Sequence, residues 1–192
     1  MSHHFFAMIA RMRYIDRWAL MRNVHTENIQ EHSHMVAVLA HALAVIGREK
    51  FGSTVDPGEA AVAALYHDAS EILTGDLPTP VKYDNPAIRD AYKAVEAVAA
   101  DKLLSLLPDE LKPSFADYVR EDLEPELLNV VKAADKLSAH LKCLEELNAG
   151  NAEFRQAADQ TRAALEEIDL PALDYFIREF LPSFSLTLDE LQ

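Results

Sequence analysis

A chain of 192 residues, 49% of them hydrophobic and only five of them glycine, has the length for one domain with a full core and a composition that excludes disorder and points to helices. Eighteen basic against 32 acidic residues leave a net charge of −14. That balance excludes a broad electrostatic grip on a nucleic-acid polymer, so an anionic substrate must be met by a metal ion or a few placed arginines. The single cysteine, Cys143, excludes an intrachain disulfide and a cysteine-rich zinc site, and in a helical run it reads as a small core residue. No run approaches the roughly 20 apolar residues of a membrane span, so the chain is expected in the cytoplasm with no membrane partner.

From Phe5 to Ile15, apolar residues at 5, 8, 9, 12 and 15 recur at helical spacing and predict an amphipathic helix. Arg17-Trp18 follows it. The arginine offers a planar fork suited to a phosphate and the tryptophan a flat face suited to a base or sugar, though a surface arginine beside a core-capping aromatic reads the same way. Asn28, with Glu31 as its capping-box partner, predicts a second helix to about Arg48, before Gly52. Its inward stripe is His32, Met35, Val36, Leu39, Leu43 and Ile46, while His34 and His41 share another face. A histidine on an apolar stripe is ordinarily a hydrogen-bonded core residue, so His32 qualifies as a ligand only if other ligands converge on it.

Asp56-Pro57-Gly58-Glu59 opens a third helix with a capping residue, a proline at the first helical position and an acid at the third. That helix is expected to carry the cluster His67, Asp68 and Glu71, whose spacing turns all three toward roughly one side. Ionisable groups in such an apolar setting are costly to bury unless paired or bound. Gly75 suits the left-handed closure of a helix, and Pro78 and Pro80 then hold an extended loop that begins with Asp76. Asn85-Pro86 starts a fourth helix, read as scaffold, with apolar positions at 88, 92, 95, 99, 103 and 106. The proline-broken region from Pro108 to Glu124 predicts a short helix and loops. Pro125 opens a long helix to about Asn148, on which Leu128, Val131, Asp135, Ser138 and Leu141 form one stripe. Asp135 is thus a carboxylate on a buried face, expensive without a partner. Two shorter helices, about 151–168 and 173–181, complete the chain.

His32, His67, Asp68 and Asp135 make a two-nitrogen, two-oxygen set that suits one borderline divalent ion, drawn from helices that a bundle can bring together. Such an ion can polarise a phosphoryl oxygen and make water a nucleophile near neutral pH. Glu71 and Asp76 exceed its ligand needs and are available for proton transfer.

These residues, together with Asp16-Arg17-Trp18, the run from Glu71 through Gly75-Asp76-Leu77-Pro78-Thr79-Pro80 to Tyr83, and the run from Leu141 to Leu147, resemble the HD-domain phosphohydrolase superfamily. Within it they are similar to the bacterial 5′-deoxynucleotidases of the YfbR type. The resemblance implies an all-α, single-domain HD helical bundle spanning 1–192, acting as a homodimer on deoxyribonucleoside 5′-monophosphates to release deoxynucleoside and phosphate. It implies cobalt as the favoured ion, with manganese, copper or zinc as substitutes, held by His32, His67, Asp68 and Asp135. It places Arg17 on the phosphate and Trp18 on the sugar. Asp76, Leu77, Pro78 and Thr79 fall on the nucleotide with Asp68 and Asp135, and Glu71 takes an essential catalytic role. Glu71 is read as handling the water and Asp76 the leaving oxygen.

Two other readings compete. A phosphodiesterase or deoxynucleoside-triphosphate hydrolase of the same superfamily would want further inward histidines, for which His34, His41 and His140 are poorly placed. A silent nucleotide-binding regulator would need neither Glu71 nor Asp76.

Overall fold

The computed structural model describes residues 3–78 and 85–192. Among them the chain is helical: α1 (Phe5–Ile9), α2 (Ile29–Phe51), α3 (Pro57–Tyr66), α4 (Glu71–Thr74), α5 (Pro86–Leu104), α6 (Pro113–Arg120), α7 (Pro125–Asn148), α8 (Arg155–Glu166) and α9 (Pro171–Glu179). Short 3-10 turns cover Ala10–Tyr14, Ala152–Phe154 and Leu181–Ser185. The only extended pairing among the described residues is an isolated antiparallel bridge between Asp16 and Asn28. None of these helices is long and apolar enough to cross a membrane.

The local signals that open the helices are met in detail. Asn28 accepts from the backbone N–H of Glu31 in a complete capping box, Asp56 accepts from Glu59, and Asn85 accepts from Ile88, each satisfying a donor the helix itself leaves unpaired. Prolines 57, 86, 113, 125 and 171 open α3, α5, α6, α7 and α9, where a missing N–H costs nothing.

α2 and α7 form the axis of the bundle, packed on each other, with α3 and α9 against α2 and α8 against α7. Val36, Leu39 and Leu43 of α2 and Val131 and Leu137 of α7 are 2% exposed or less. Burial of each such side chain contributes about 1.5–3 kcal/mol relative to exposure. That gain carries His32, 0% exposed and on the same stripe, into the interior. A second cluster gathers Phe5, Ala69, Leu103, Leu104, Leu107 and Val119. A third, of Cys143, Phe154 and Ala158, takes Trp18 and Met21 against it.

Four expectations need correction. The first helix tightens to a 3-10 turn from Ala10. α3 stops at Tyr66, so the cluster sits on a turn: Ala69 donates to Tyr66 and Glu71 donates to Asp68 before α4 begins. The tighter turn swings Ala69 into the second cluster, where it is fully buried. Met35 is 37% exposed, because the buried arc of α2 turns instead toward the small residues Ser33, Ala37, Ala40, Ala44 and Gly47. On α5, Ile88 and Val95 are 38% and 53% exposed, and only the last turns, Ala99 to Leu104, enter the core.

Candidate metal centre and its surroundings

α2 supplies His32, the turn after α3 supplies His67 and Asp68, and α7 supplies Asp135. The four converge. His32, His67 and Asp135 each offer a ligand atom within 4.8 Å of the others. Asp68 Oδ2 lies 3.6 Å from His32 Nε2 and 3.1 Å from His67 Nε2, and Asp135 Oδ1 lies 3.1 Å from His32 Nε2.

The imidazoles are oriented from behind. His67 Nδ1 donates to the carbonyl of Ala64 at 2.7 Å, and His32 Nδ1 lies 3.1 Å from Ser138 Oγ, which can accept from it. Both contacts fix the rings so that each Nε2 faces the carboxylates, the arrangement by which outer partners orient metal-ligating histidines. His67 Nε2 is buried and faces the Asp68 carboxylate 3.1 Å away without a well-aligned hydrogen bond, a geometry that a shared cation would satisfy.

The charges tell the same story. Burial lowers the His32 pKa, with Arg17 adding to the effect over the pull of Asp135 and Asp68, so this imidazole is neutral. Burial works the same way on His67, but the Asp68 carboxylate 3.1 Å away, with Asp135, pushes it up to about 9. Asp68 and Asp135 are held well below the usual carboxylate range: burial opposes this, and His67 for the one and the His32 hydrogen bond with Lys136 for the other outweigh it. Surplus carboxylate charge in a dry site is balanced either by a proton on His67 or by a cation.

Arg17 is 11% exposed in its side chain, with Nε 3.1 Å from Glu27 Oε2 and Nη1 3.3 Å from Asp68 Oδ2. Burial lowers its pKa, but Asp68, Asp135, Glu27 and Asp76 together raise it, so its charge is permanent and sits between the cluster and the Asp76 loop. Glu71 is 6% exposed on the first turn of α4. Gly75 follows with φ 76° and ψ 161°, a positive-φ extended conformation open to glycine rather than the left-handed helical cap expected. Tyr92 of α5 donates to the Gly75 carbonyl at 3.0 Å and so anchors the start of the loop. Asp76, Leu77 and Pro78 are half-buried behind it; Thr79, Pro80 and the rest of the motif to Tyr83 lie outside the described residues. Trp18 has φ 56°, rare for a bulky residue, and its ring centroid is 5.4 Å from that of Phe154. His34 and His41 are exposed, and His140 is bonded to Thr161 at 2.9 Å, so none of the three joins the cluster.

Three contributors had no reading in the sequence. Glu27 partners Arg17, a pairing between residues ten apart that only the Asp16–Asn28 bridge creates. Lys136 Nζ lies 3.3 Å from Asp135 Oδ2, and its position directly after an inward acid was the available signal. Glu121, at φ 53° past α6, has its carboxyl pKa raised by desolvation, with Asp68 and Asp135 adding to the effect and His67 and Lys132 opposing it, an electrostatic coupling to the same cluster.

Comparison with known proteins agrees with this geometry. Residues 4–184 match the family model described as 5′-deoxynucleotidase YfbR-like. The 5′-deoxynucleotidase VP0926 of Vibrio parahaemolyticus is 52% identical over 98% of this chain and 97% of its own length. The 5′-deoxynucleotidase YfbR of Salmonella typhi is 53% identical over 98% of this chain and 95% of its own. Among solved structures, an HD-domain phosphohydrolase of Listeria innocua superposes with a TM-score of 0.83 at 22% identity, covering 94% of this chain and 88% of that one. A cyanophage S-2L HD phosphohydrolase, solved with dA and one catalytic Zn2+, gives 0.66 at 21% identity over 94% and 96%. At these identities the two structures show a shared fold.

Proposed function

The chain belongs to the YfbR-like 5′-deoxynucleotidase family, and from that premise we propose that it hydrolyses deoxyribonucleoside 5′-monophosphates to deoxynucleoside and phosphate at the His32, His67, Asp68 and Asp135 cluster. The observation that carries this reading is the convergence of two pre-oriented imidazoles and two carboxylates on one point. Their donor set fits one borderline divalent ion, for which the family resemblance favours cobalt, with manganese, copper or zinc as alternatives. Such an ion supplies Lewis acidity to a phosphoryl oxygen and to water.

The remaining roles fall to the chain's own side chains. Arg17, permanently charged and fixed by Glu27, orients the phosphate and offsets the charge that grows on it in the transition state. Glu71, almost fully buried beside the cluster, takes the proton from the attacking water as its oxygen bonds to phosphorus. As the bond from phosphorus to O5′ breaks, Asp76, in its protonated form when substrate is bound, gives its proton to that oxygen, and the proton Glu71 took from water restores it once the products leave. Asp68 and Asp135 border the phosphate, Leu77, Pro78 and Thr79 line the nucleotide, and Trp18 packs on the deoxyribose. A silent regulator would have no use for Glu71 and Asp76, and a second metal would lack histidines, since His34, His41 and His140 all lie elsewhere.

We place the enzyme in the cytoplasm as a homodimer, a state for which the exposed Ile88, Val95 and Val98 of α5 offer an apolar face. Light scattering of the purified chain tests the dimer. A phosphate-release screen of paired ribo- and deoxyribonucleoside monophosphates, run after chelation with each divalent ion restored in turn, tests the activity. Release confined to deoxyribonucleoside monophosphates plus an ion supports the reading, and release from diesters or triphosphates alone refutes it.

A further inference from the structure

Lys142 and Glu146 of α7 are 4% and 0% exposed and form an ion pair of 2.6 Å inside the protein. A buried pair of this kind does little for stability compared with apolar residues of similar volume. What it touches explains its presence better. Glu146 accepts from the backbone N–H of Val24 at 2.8 Å and of His25 at 3.1 Å, and from Asn151 Nδ2 at 2.8 Å. Lys142 Nζ donates to the carbonyl of His25, and Asn151 Nδ2 also donates to the carbonyl of Arg22 at 2.6 Å. The pair and Asn151 therefore satisfy four backbone groups of an irregular segment that has no ladder of its own.

That segment holds Trp18. Asn23, between the clamped Arg22 and Val24, donates to the carbonyls of Trp18 at 3.2 Å and Met21 at 3.0 Å. From the other side, the Trp18 ring rests on Phe154, whose ring centroid lies 5.9 Å from Lys142 Nζ. A non-glycine residue at φ 56° costs on the order of 1–3 kcal/mol and persists only where the surroundings over-determine it. Here they do, from both backbone and ring. The Asp16–Asn28 bridge meanwhile closes the base of the loop, which keeps Arg17 facing Asp68 whatever happens at the tip.

We propose that Lys142 and Glu146 are positioning residues that set the placement of Trp18, and so the enzyme's preference for deoxyribose over ribose. The proposal rests on the reading of Trp18 as the sugar contact. One helix, α7, thus carries both the Asp135 end of the cluster and, two turns on, the anchor of the loop that reads the sugar.

The test compares the wild type with the double variant Lys142→Met/Glu146→Leu and with Trp18→Ala. The double variant removes both charges together, so that neither is left buried and alone, while the backbone groups they served lose their partners. Its ratio of kcat/KM for a deoxyribonucleoside monophosphate over the ribo counterpart should fall about tenfold, through a raised KM, with kcat within about threefold and bound metal retained. A role in stability alone would lower Tm and leave the ratio and KM as they were. An unchanged ratio in the folded double variant, with a reduced one in Trp18→Ala, overturns the positioning role alone. Unchanged ratios in both overturn the sugar role of Trp18 and the proposal with it. Should the double variant fail to fold, Asn151→Ala decides, a fall of about threefold supporting the proposal and no change overturning it.

Discussion

Replacing Arg17 with Ala separates phosphate binding from metal binding, because the two respond with opposite sign. The guanidinium is 11% exposed and lies 3.3 Å from Asp68 Oδ2 and 3.1 Å from Glu27 Oε2. Its charge therefore opposes a cation at the Asp68 oxygen while favouring a phosphate beside it. Loss of one charged donor to a developing oxyanion costs about 2.7–4 kcal/mol, a fall of about 10² to 10³ in kcat/KM. Loss of the repulsion leaves metal occupancy equal or higher. Stability falls too, since Glu27 and Asp68, 15% and 17% exposed, lose their partner; breaking a fully buried pair costs about 3–5 kcal/mol, and this partly exposed one less. Steady-state phosphate release, metal content by mass spectrometry and urea unfolding on the same preparation report the three effects. If metal and turnover vanish together, Arg17 is scaffold for the cluster and the phosphate role fails.

Glu71→Gln keeps shape but removes proton transfer, so kcat should drop by about 10² to 10⁴ with metal and nucleotide binding kept; turnover within about threefold of wild type, in the same assay, rejects the role. Glu146 has its pKa depressed from 4.5 to about 2 by Lys142 and the N–H donors, against burial. Its stabilisation is thus complete above the unfolded value and is lost as pH falls toward the folded one. The gap in urea midpoint between wild type and Glu146→Gln should be wide at about pH 7 and narrow at about pH 3, and a constant gap contradicts the assignment. Leu137, 0% exposed between Asp135 and Ser138, should cost about 2–5 kcal/mol when cut to Ala, read from the urea midpoint; a loss under about 1 kcal/mol would mean a looser core than described.

What was legible in the chain was the chemistry that acts locally. Asn28, Asp56 and Asn85 announce their helices because the cap is made within three residues, and the inward acid Asp135 declared itself by its expense on an apolar stripe. What was hidden depends on distant neighbours. The turn from His67 to Ser70 replaces a helix because Ala69 is claimed by Phe5 and the end of α5. The clamp of Lys142 and Glu146 takes its meaning only from a loop about 120 residues upstream. Ile88 and Val95 followed a helical period, yet no neighbour among the described residues buries them fully.

The measurement closest to the centre of this account is the metal stoichiometry of the chelated and reconstituted chain beside that of His67→Ala and Asp68→Ala, with phosphate release from a deoxyribonucleoside monophosphate followed on each sample. The account predicts about one ion per wild-type chain, and binding weakened by far more than the 10- to 100-fold typical of an outer partner in both variants, with turnover lost in parallel. Full metal content in either variant, or full turnover in a chain stripped of metal, would contradict it.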